Sequence, residues 1–272
     1  MRVRREHAEL VLAELLELAP GGVEEREDGE VVEYAVYGAP GELPELPAVR
    51  AAAGAALVEV VTSEVADDWA ERWKAFHEPV EIGSSAPGGP VVLVRPPWSP
   101  PRAGRLDVVI DPAQAFGTGA HPTTRLCLEL LLTLEPGGPL VDVGCGSGVL
   151  GIAAARLGWG PVTGLDHDHE AVRATLLNAR ANGVEVEARR HDLLRDGPAP
   201  AAPVVVANLL RPLLLRVAAD GFAGTIPGAL VAGGLLAHEG DEVAAAFARH
   251  GLRETERRRA GEWVALLLRA AP

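Results

Sequence analysis

Cysteine is scarce: the chain of 272 residues has two, Cys127 and Cys145. Two thiols cannot build a disulfide framework, and no Cys/His cluster has the spacing of zinc ligands, so no metal is expected. A reducing, cytoplasmic setting is the expectation. Long apolar runs are lacking too, and nothing approaches the length of a membrane span. The N-terminal "MRVRREHAEL" has basic residues but no apolar stretch behind them, and the following "LVLAELLEL" is broken by acids at helical spacing. No signal peptide is expected. Lysine is nearly absent, Lys74 being the only one. A lysine-modifying enzyme would thereby lack self-targets. GC-rich codon usage explains the same bias, because Ala, Gly, Pro and Arg are abundant. Positive charge is short overall: Lys+Arg 25 against Asp+Glu 38 leaves a net charge of −13 and a pI near 5.1. A general nucleic-acid binder would carry a basic face, so direct nucleic-acid binding is not expected. A basic protein partner is compatible with this balance, and so is plain solubility.

What is present describes a globular chain. Apolar residues make up 48% and mean hydropathy is +0.13. The length allows one large domain, or a main domain with a smaller companion. Residues 1–62 read as a small α/β unit. Helical periodicity runs from about His7 to Leu18, a hairpin follows with Asp28-Gly29 at its turn, then a short helix over 46–53 and an apolar strand, "ALVEVVT". The pattern is ferredoxin-like, a βαββαβ sandwich whose first strand is short or missing. Residues 63–90 read as a linker helix and linker. Trp69, Trp73 and Phe76 share one face there, which suits packing better than ligand binding.

From 91 to 272 the pattern becomes alternating strand and helix. Strands are expected at 140–144, 161–166, 184–190, 203–208 and 229–237, with a closing antiparallel pair near 252–258 and 262–269. Helices are expected at 122–133, 148–157, 169–181, 210–219 and 240–250, the third capped by Asp168 and ended by Asn182-Gly183. This alternation predicts an α/β fold, a Rossmann-like doubly wound sheet.

The most informative stretch is "LVDVGCGSGVLGIAA", 140–154. Gly144, Gly146 and Gly148 allow a tight turn and close backbone approach to a ligand at the carboxyl end of the first core strand. Read as G-x-G-x-x-G, "GSGVLG" also fits a dinucleotide fingerprint. Asp166, ending the next strand, stands at ribose distance in either case. Three features favour S-adenosylmethionine over a pyrophosphate. Asp142 suits an ammonium group and would repel a phosphate. Asn208, in "VVVANLL", can accept a hydrogen bond from an attacking amine. "DPAQAFGTGAHPTTRLCL" can fold over the sulfonium end as a lid, with Thr123 and Thr124 in the first turn of the next helix. The competing readings are a loop cap for Asp142, a turn residue for Asn208, and an N-cap for one of the two threonines. Cys145 has no neighbouring base and His121 reads as structural.

Taken together, "AFGTGAHPTTRLCL", "VDVGCGSGVLGIAA", "GLDHD" and "VVVANLL" resemble the PrmA-type methyltransferases. "DDWAERWKAFHEPVEIG", "VRPPW" and "GEWVALLLR" extend the likeness over most of the chain beyond Asp67. The resemblance implies methylation of amino groups on large-subunit ribosomal protein L11, lysine side chains and the N-terminal amine, with S-adenosyl-L-methionine as cofactor. It implies that Thr124, Gly144, Asp166 and Asn208 bind the cofactor, that the segment holding Phe116 and Thr118 closes over it, and that the small N-terminal domain recognises the substrate. Gly146 and Asp142 join that set from the loop itself, and Asn208 is the catalytic candidate. A monomer is expected. "HDH" after Asp166 departs from a more apolar expectation. The rivals are methylation of another protein or of a small molecule, a NAD-dependent oxidoreductase using "GSGVLG", and a non-catalytic binding protein. The last would have lost Asp166 or Asn208, and both are present. "ANLL" also differs from the turn that stacks a flipped base.

Overall fold

The computed structural model describes residues 1–8, 11–12, 15, 18, 24–36, 43–62, 77–84, 88–112, 119 and 121–270. The expected helix bearing Trp69, Trp73 and Phe76 lies outside the described residues. The chain divides into two compact units, Met1–Trp69 and Ala70–Pro272.

The first unit holds β1 (Arg2–Arg4), β2 (Glu24–Asp28), β3 (Val31–Ala35), helix α1 (Leu46–Ala53) and β4 (Leu57–Glu59). Its sheet is antiparallel, in the order β2-β3-β1-β4. The first strand is therefore short and not missing. Ala8, Val11 and Leu15 are helical and buried, the i, i+3, i+7 spacing that seats one helix face on Val3, Val32 and Tyr34. The Tyr34 hydroxyl donates to the Ala8 carbonyl at 2.9 Å, which satisfies a buried polar tip. The hairpin turn sits one residue later than the sequence suggests. Asp28 pairs with Val31, so Gly29 and Glu30 form the two-residue loop. Gly29 has φ +63° and Glu30 does not have a positive φ, the pattern of a type II′ turn with glycine first.

The second unit opens with β5 (Val80–Gly83), β6 (Val91–Arg95) and β7 (Leu106–Val109), a small sheet in that order. Strand β5 falls inside the stretch expected to be linker; its four residues pair antiparallel with β6. Arg95 and Asp107, on β6 and β7, form a two-pronged ion pair at 2.6 and 2.7 Å, and their side chains are only 11% and 23% exposed.

The main sheet has seven strands. In chain order the elements are α2 (Pro122–Leu131), β8 (Leu140–Val143), α3 (Val149–Leu157), β9 (Val162–Asp166), α4 (His169–Ala181), β10 (Glu187–Arg190), β11 (Ala199–Pro200), β12 (Val204–Asn208), α5 (Arg211–Asp220), β13 (Phe222–Ala223), β14 (Ala229–Leu236), α6 (Gly240–Ala248), β15 (Leu252–Ala260) and β16 (Trp263–Ala270). Strands β11 and β13 form a two-residue parallel pair of their own, too short to leave a pattern in the sequence. The sheet order is β10-β9-β8-β12-β14-β16-β15. The first five strands are parallel, and β16 runs antiparallel to both its neighbours, β14 and β15, as the close spacing of the final pair predicts for that pair.

Both faces of the central part of the sheet are buried, which explains why strands such as β12, β14 and β16 read as apolar runs. Alternation decides which side chain goes where. Leu140, Val204 and Val206 pack with α2 and α3, while Val141, Val143, Val205 and Ala207 pack with α5 and α6. The edge strand β15, "LRETERRRA", is defended by charge, with Arg257 paired to Asp241 and Glu254 at 2.7 Å each. From β8 the chain winds outward through β9 and β10, then returns to β12 on the other side. The switch point, where ligands bind in such sheets, lies between β8 and β12. Among the described residues no helix is long and apolar enough to cross a membrane.

Removing one partner of the Arg95–Asp107 pair strands a poorly solvated charge. Asp107→Ala is expected to cost about 2 kcal/mol, read as a lower midpoint in urea or thermal unfolding. A midpoint unchanged from the parent would show the pair to be incidental.

Candidate active site

The loop after β8 is shaped by three glycines in the left-handed region: Gly144 at φ +75°, Gly146 at +53° and Gly148 at +82°. A Cβ on Gly144 would run into Leu209 Cδ2, and one on Gly148 would meet Thr175 within about 3 Å. Both the dihedral angle and the space therefore require glycine. The loop's own amides are largely consumed by the protein. Gly144 and Cys145 donate to the Leu165 carbonyl at 2.7 and 3.0 Å. Gly146 donates to Asp166 Oδ2 at 3.0 Å, and Gly148 to the Cys145 carbonyl at 2.7 Å. A loop so engaged is not a cradle of free amides for phosphate.

Asp166 ends β9 and faces an open cleft of about 630 Å³. Its Oδ1 accepts from the Asp168 amide at 3.1 Å and lies 3.2 Å from His167 Nδ1. The cleft is walled by Gly144, by His191 to Leu194 after β10, and by Leu209 and Leu213 after β12. All lie beyond the carboxyl ends of parallel strands, so the positional rule for open α/β sheets would have found them. The residue after Asp166, where an apolar side chain was expected, is a histidine on the cleft wall.

Asp142 lies behind the loop, not on the cleft wall. It shares the Leu140 face of β8, only 1% exposed. Its Oδ2 accepts from the Gly151 amide at 3.0 Å, and its Oδ1 is buried with no hydrogen-bond partner among the described residues. The capping role and an unmet need for a donor thus occupy one oxygen each. Burial, with a smaller push from the Asp166 charge and against the Gly151 hydrogen bond, raises the Asp142 carboxyl to about 7.

Thr124, fully buried in the first turn of α2, accepts from Asn208 Nδ2 at 3.4 Å. Asn208 Oδ1 is buried and without a partner among the described residues. Gly233, beside Asn208 in the sheet, is kept bare first by Cys127, whose Sγ a Cβ there would run into, and that Cβ would also lie 3.3 Å from Asn208 Oδ1. His121 is the N-cap of α2. Its Nδ1 accepts from the Thr123 amide at 3.4 Å and lies 2.8 Å from Thr123 Oγ1, while its ring meets Trp263 edge-on. Thr123 thus belongs to the cap. Cys145 is pushed up to about 12, chiefly by burial, which leaves no thiolate to react. Phe116 and Thr118 lie outside the described residues. Thr175 and Asn178 of α4, which reach the loop, are not singled out by the sequence; Asn182, read there only as the end of the helix, is its C-cap and also binds Val109 at the end of β7. Among the described residues no cluster of His, Cys, Asp or Glu could hold a metal ion.

A doubly wound sheet whose switch-point cleft offers ligand acceptors, with its loop amides already engaged, has the Rossmann-like form of a methyltransferase. The sequence profile of the ribosomal protein L11 methyltransferase (PrmA) family matches residues 44–271, and the chain belongs to that family of protein methyltransferases. It is 41% identical over 213 residues to the ribosomal protein L11 methyltransferase of Geobacter metallireducens, covering 77% of this chain and 69% of that protein. The same-named protein of Heliobacterium modesticaldum is 39% identical over 75% of this chain and 65% of its own length. That of Burkholderia thailandensis is 36% identical over 90% of this chain and 89% of its own. The chain thus spans about two thirds of the first two relatives and nearly all of the third. A crystal structure of a ribosomal protein L11 methylase from Lactobacillus delbrueckii subsp. bulgaricus superposes with a TM-score of 0.58 at 26% identity, covering 66% of this chain and 95% of that one.

The raised Asp142 carboxyl has a stability consequence. Between about pH 4 and 7 the folded chain keeps a proton that the unfolded chain releases. The group's contribution therefore falls as pH rises, and the penalty is complete above 7. Asp142→Asn is expected to raise the Tm of the ligand-free protein by roughly 5 °C or more at pH 8 and by clearly less at pH 5. Thermal melts at both values check this; equal shifts would contradict it.

Proposed function

We propose that this chain transfers methyl groups from S-adenosyl-L-methionine to amino groups of ribosomal protein L11, on lysine side chains and the N-terminal amine. The observation that carries the cofactor choice is the state of the loop. Gly144, Cys145, Gly146 and Gly148 all spend their amides on protein acceptors, while Asp142 Oδ1 and Asn208 Oδ1 are buried acceptors without donors among the described residues. A pyrophosphate brings more acceptors and negative charge to such a place. A ribose, an ammonium group and an attacking amine bring donors.

When bound, the cofactor supplies a methyl group on a positively charged sulfur, open to direct displacement by an amine. Asp166 holds the ribose hydroxyls, and its two backbone hydrogen bonds fix the carboxylate beforehand. Asp142, buried behind the loop, acts on the positive end of the cofactor as a nearby negative charge without lining the cleft. Thr124 and Gly144 complete the cofactor contacts, with Gly146 holding Asp166; Phe116 and Thr118 belong to the segment that covers it. Asn208 accepts a hydrogen bond from the amine and directs its lone pair, while Thr124 holds the amide's other end. A lysine amine must lose its proton before attack, its reference pKa being about 10.4. The low-dielectric pocket favours the neutral form, and water takes the proton. Catalysis is then chiefly alignment.

The domain roles follow the family. Residues 1–62 recognise the ribosomal protein, 63–90 link, and 91–272 carry out transfer. The enzyme works in the cytoplasm as a monomer, without contacting nucleic acid. The test is methyl transfer from labelled S-adenosylmethionine to purified ribosomal protein L11, read by intact mass. Gains in steps of one methyl support the reading. No gain, with cofactor binding still seen by calorimetry, overturns the substrate and leaves another protein or a small molecule in its place. Asn208→Ala is expected to lower kcat by about 100-fold. Retention of both cofactor affinity and near-normal turnover would remove Asn208 from the mechanism.

A further inference from the structure

Helix α4 carries a polar stripe that has no part in the mechanism above. Thr175 and Asn178 sit on one face of the helix, and Asn182 at its C-cap continues the line at i, i+3, i+7. Thr175 Oγ1 donates to the Gly146 carbonyl at 3.0 Å. Asn178 Nδ2 donates to the Ser147 carbonyl at 2.9 Å, and its Oδ1 accepts from the Asp111 amide at 3.1 Å. Thr175 and Asn178 are 0% and 3% exposed. Asn182 instead grips Val109 at both its amide and its carbonyl, 2.7 Å each, and does not reach the loop.

A peptide plane is set by the direction of its carbonyl, because the following N–H points the opposite way. Two consecutive carbonyls of the glycine loop, at 146 and 147, are pinned to α4. The φ values around them are those that glycine adopts freely, so hydrogen bonds rather than torsional preference hold these planes; the Ser147–Gly148 plane is held from its other edge as well, by the Gly148 amide on the Cys145 carbonyl at 2.7 Å. Gly146 is also the residue whose amide holds Asp166 Oδ2. Turning the Gly146–Ser147 plane would disturb the residue that fixes the ribose acid. Asn178 does one thing more: it ties the loop to Asp111, the first residue of "DPAQAFGTG".

We infer that Asn178 and Thr175 are positioning residues for cofactor binding, holding the planes of the glycine loop from behind while touching no ligand themselves. The inference rests on the cofactor reading above. Asn182 provides an internal control, since it shares the stripe and the β7 anchor but not the loop.

The test is calorimetric binding of S-adenosylhomocysteine to the full chain, with Tm and steady-state kinetics on the same preparations. Asn178→Ala and the shape-conserving Thr175→Val are each expected to weaken binding about tenfold or more and to raise the KM for S-adenosylmethionine in parallel. At saturating cofactor kcat stays within about threefold of the parent. Thr175→Ser, which keeps the hydroxyl, restores affinity. Asn182→Ala lowers Tm but leaves binding within about twofold. The inference is overturned if Asn178→Ala and Thr175→Val bind as the parent does, or if Asn182→Ala weakens binding as much as they do. A parent chain that binds no S-adenosylhomocysteine overturns the cofactor reading itself, a result distinguishable from either.

Discussion

The site depends on one residue's hold over three pieces of backbone. Asp166 accepts from Gly146 on the loop through Oδ2, from Asp168 at the start of α4 through Oδ1, and from His191 beyond β10 through its own carbonyl at 2.7 Å. Each tie costs little when the sheet is in register and is lost when it is not. Hydrogen bonds to an ionised carboxylate are the stronger kind, on the order of 1.5–3 kcal/mol. They also fix where the remaining lone pairs point. The geometry of the cleft, the tilt of α4 and the course of the chain after β10 therefore share one anchor, and α4 returns the support through Thr175 and Asn178.

A second constraint is burial on both faces of the sheet. Asp142 sits on the inner face of β8 because the period of two puts it there with Leu140. A carboxylate in that position is tolerated only because Gly151, itself without a side chain, brings its amide to 3.0 Å. The glycine at 151 is thus explained from the opposite side to the ones at 144 and 148. Those make room for a turn and for neighbouring side chains, and this one makes room for an acid.

Much of this was legible in the sequence. The strands and helices of the main sheet fall within a few residues of the expected spans because most are apolar or amphipathic and bounded by glycine, proline or a cap. Asp168 caps α4 through its Oδ1, as its place before the helix suggested. Thr124 and Asn208, 84 positions apart, were each singled out, but only the fold makes them neighbours. What escaped was of two kinds. Short or edge pairings such as β5 and the β11–β13 pair are made by tertiary context and leave no periodic signal. Polar residues inside a helix, such as Thr175 and Asn178, look like ordinary solvent-facing positions until it is known which face the neighbouring loop occupies. The hairpin at Gly29 shows a third limit. Asp-Gly marks the turn, but strand register decided that glycine comes first in it and the aspartate stays in the strand.

The unpaired acceptors give the last step. A buried polar atom without a partner costs about 1–3 kcal/mol, and native chains leave few of them. Among the described residues two such acceptors fall on adjacent strands at the switch point, Oδ1 of Asp142 on β8 and Oδ1 of Asn208 on β12, while a third such atom, the Trp159 Nε1 donor, lies elsewhere. The two acceptors share the region where ligands of this fold bind, and donors on a ligand would satisfy them. Their distribution is explained if the stability forgone in the empty protein is regained when donors arrive. The ligand-free chain should then be the less stable state, and its binding free energy should include relief of that penalty, which no inventory of surface contacts in the cleft would reveal.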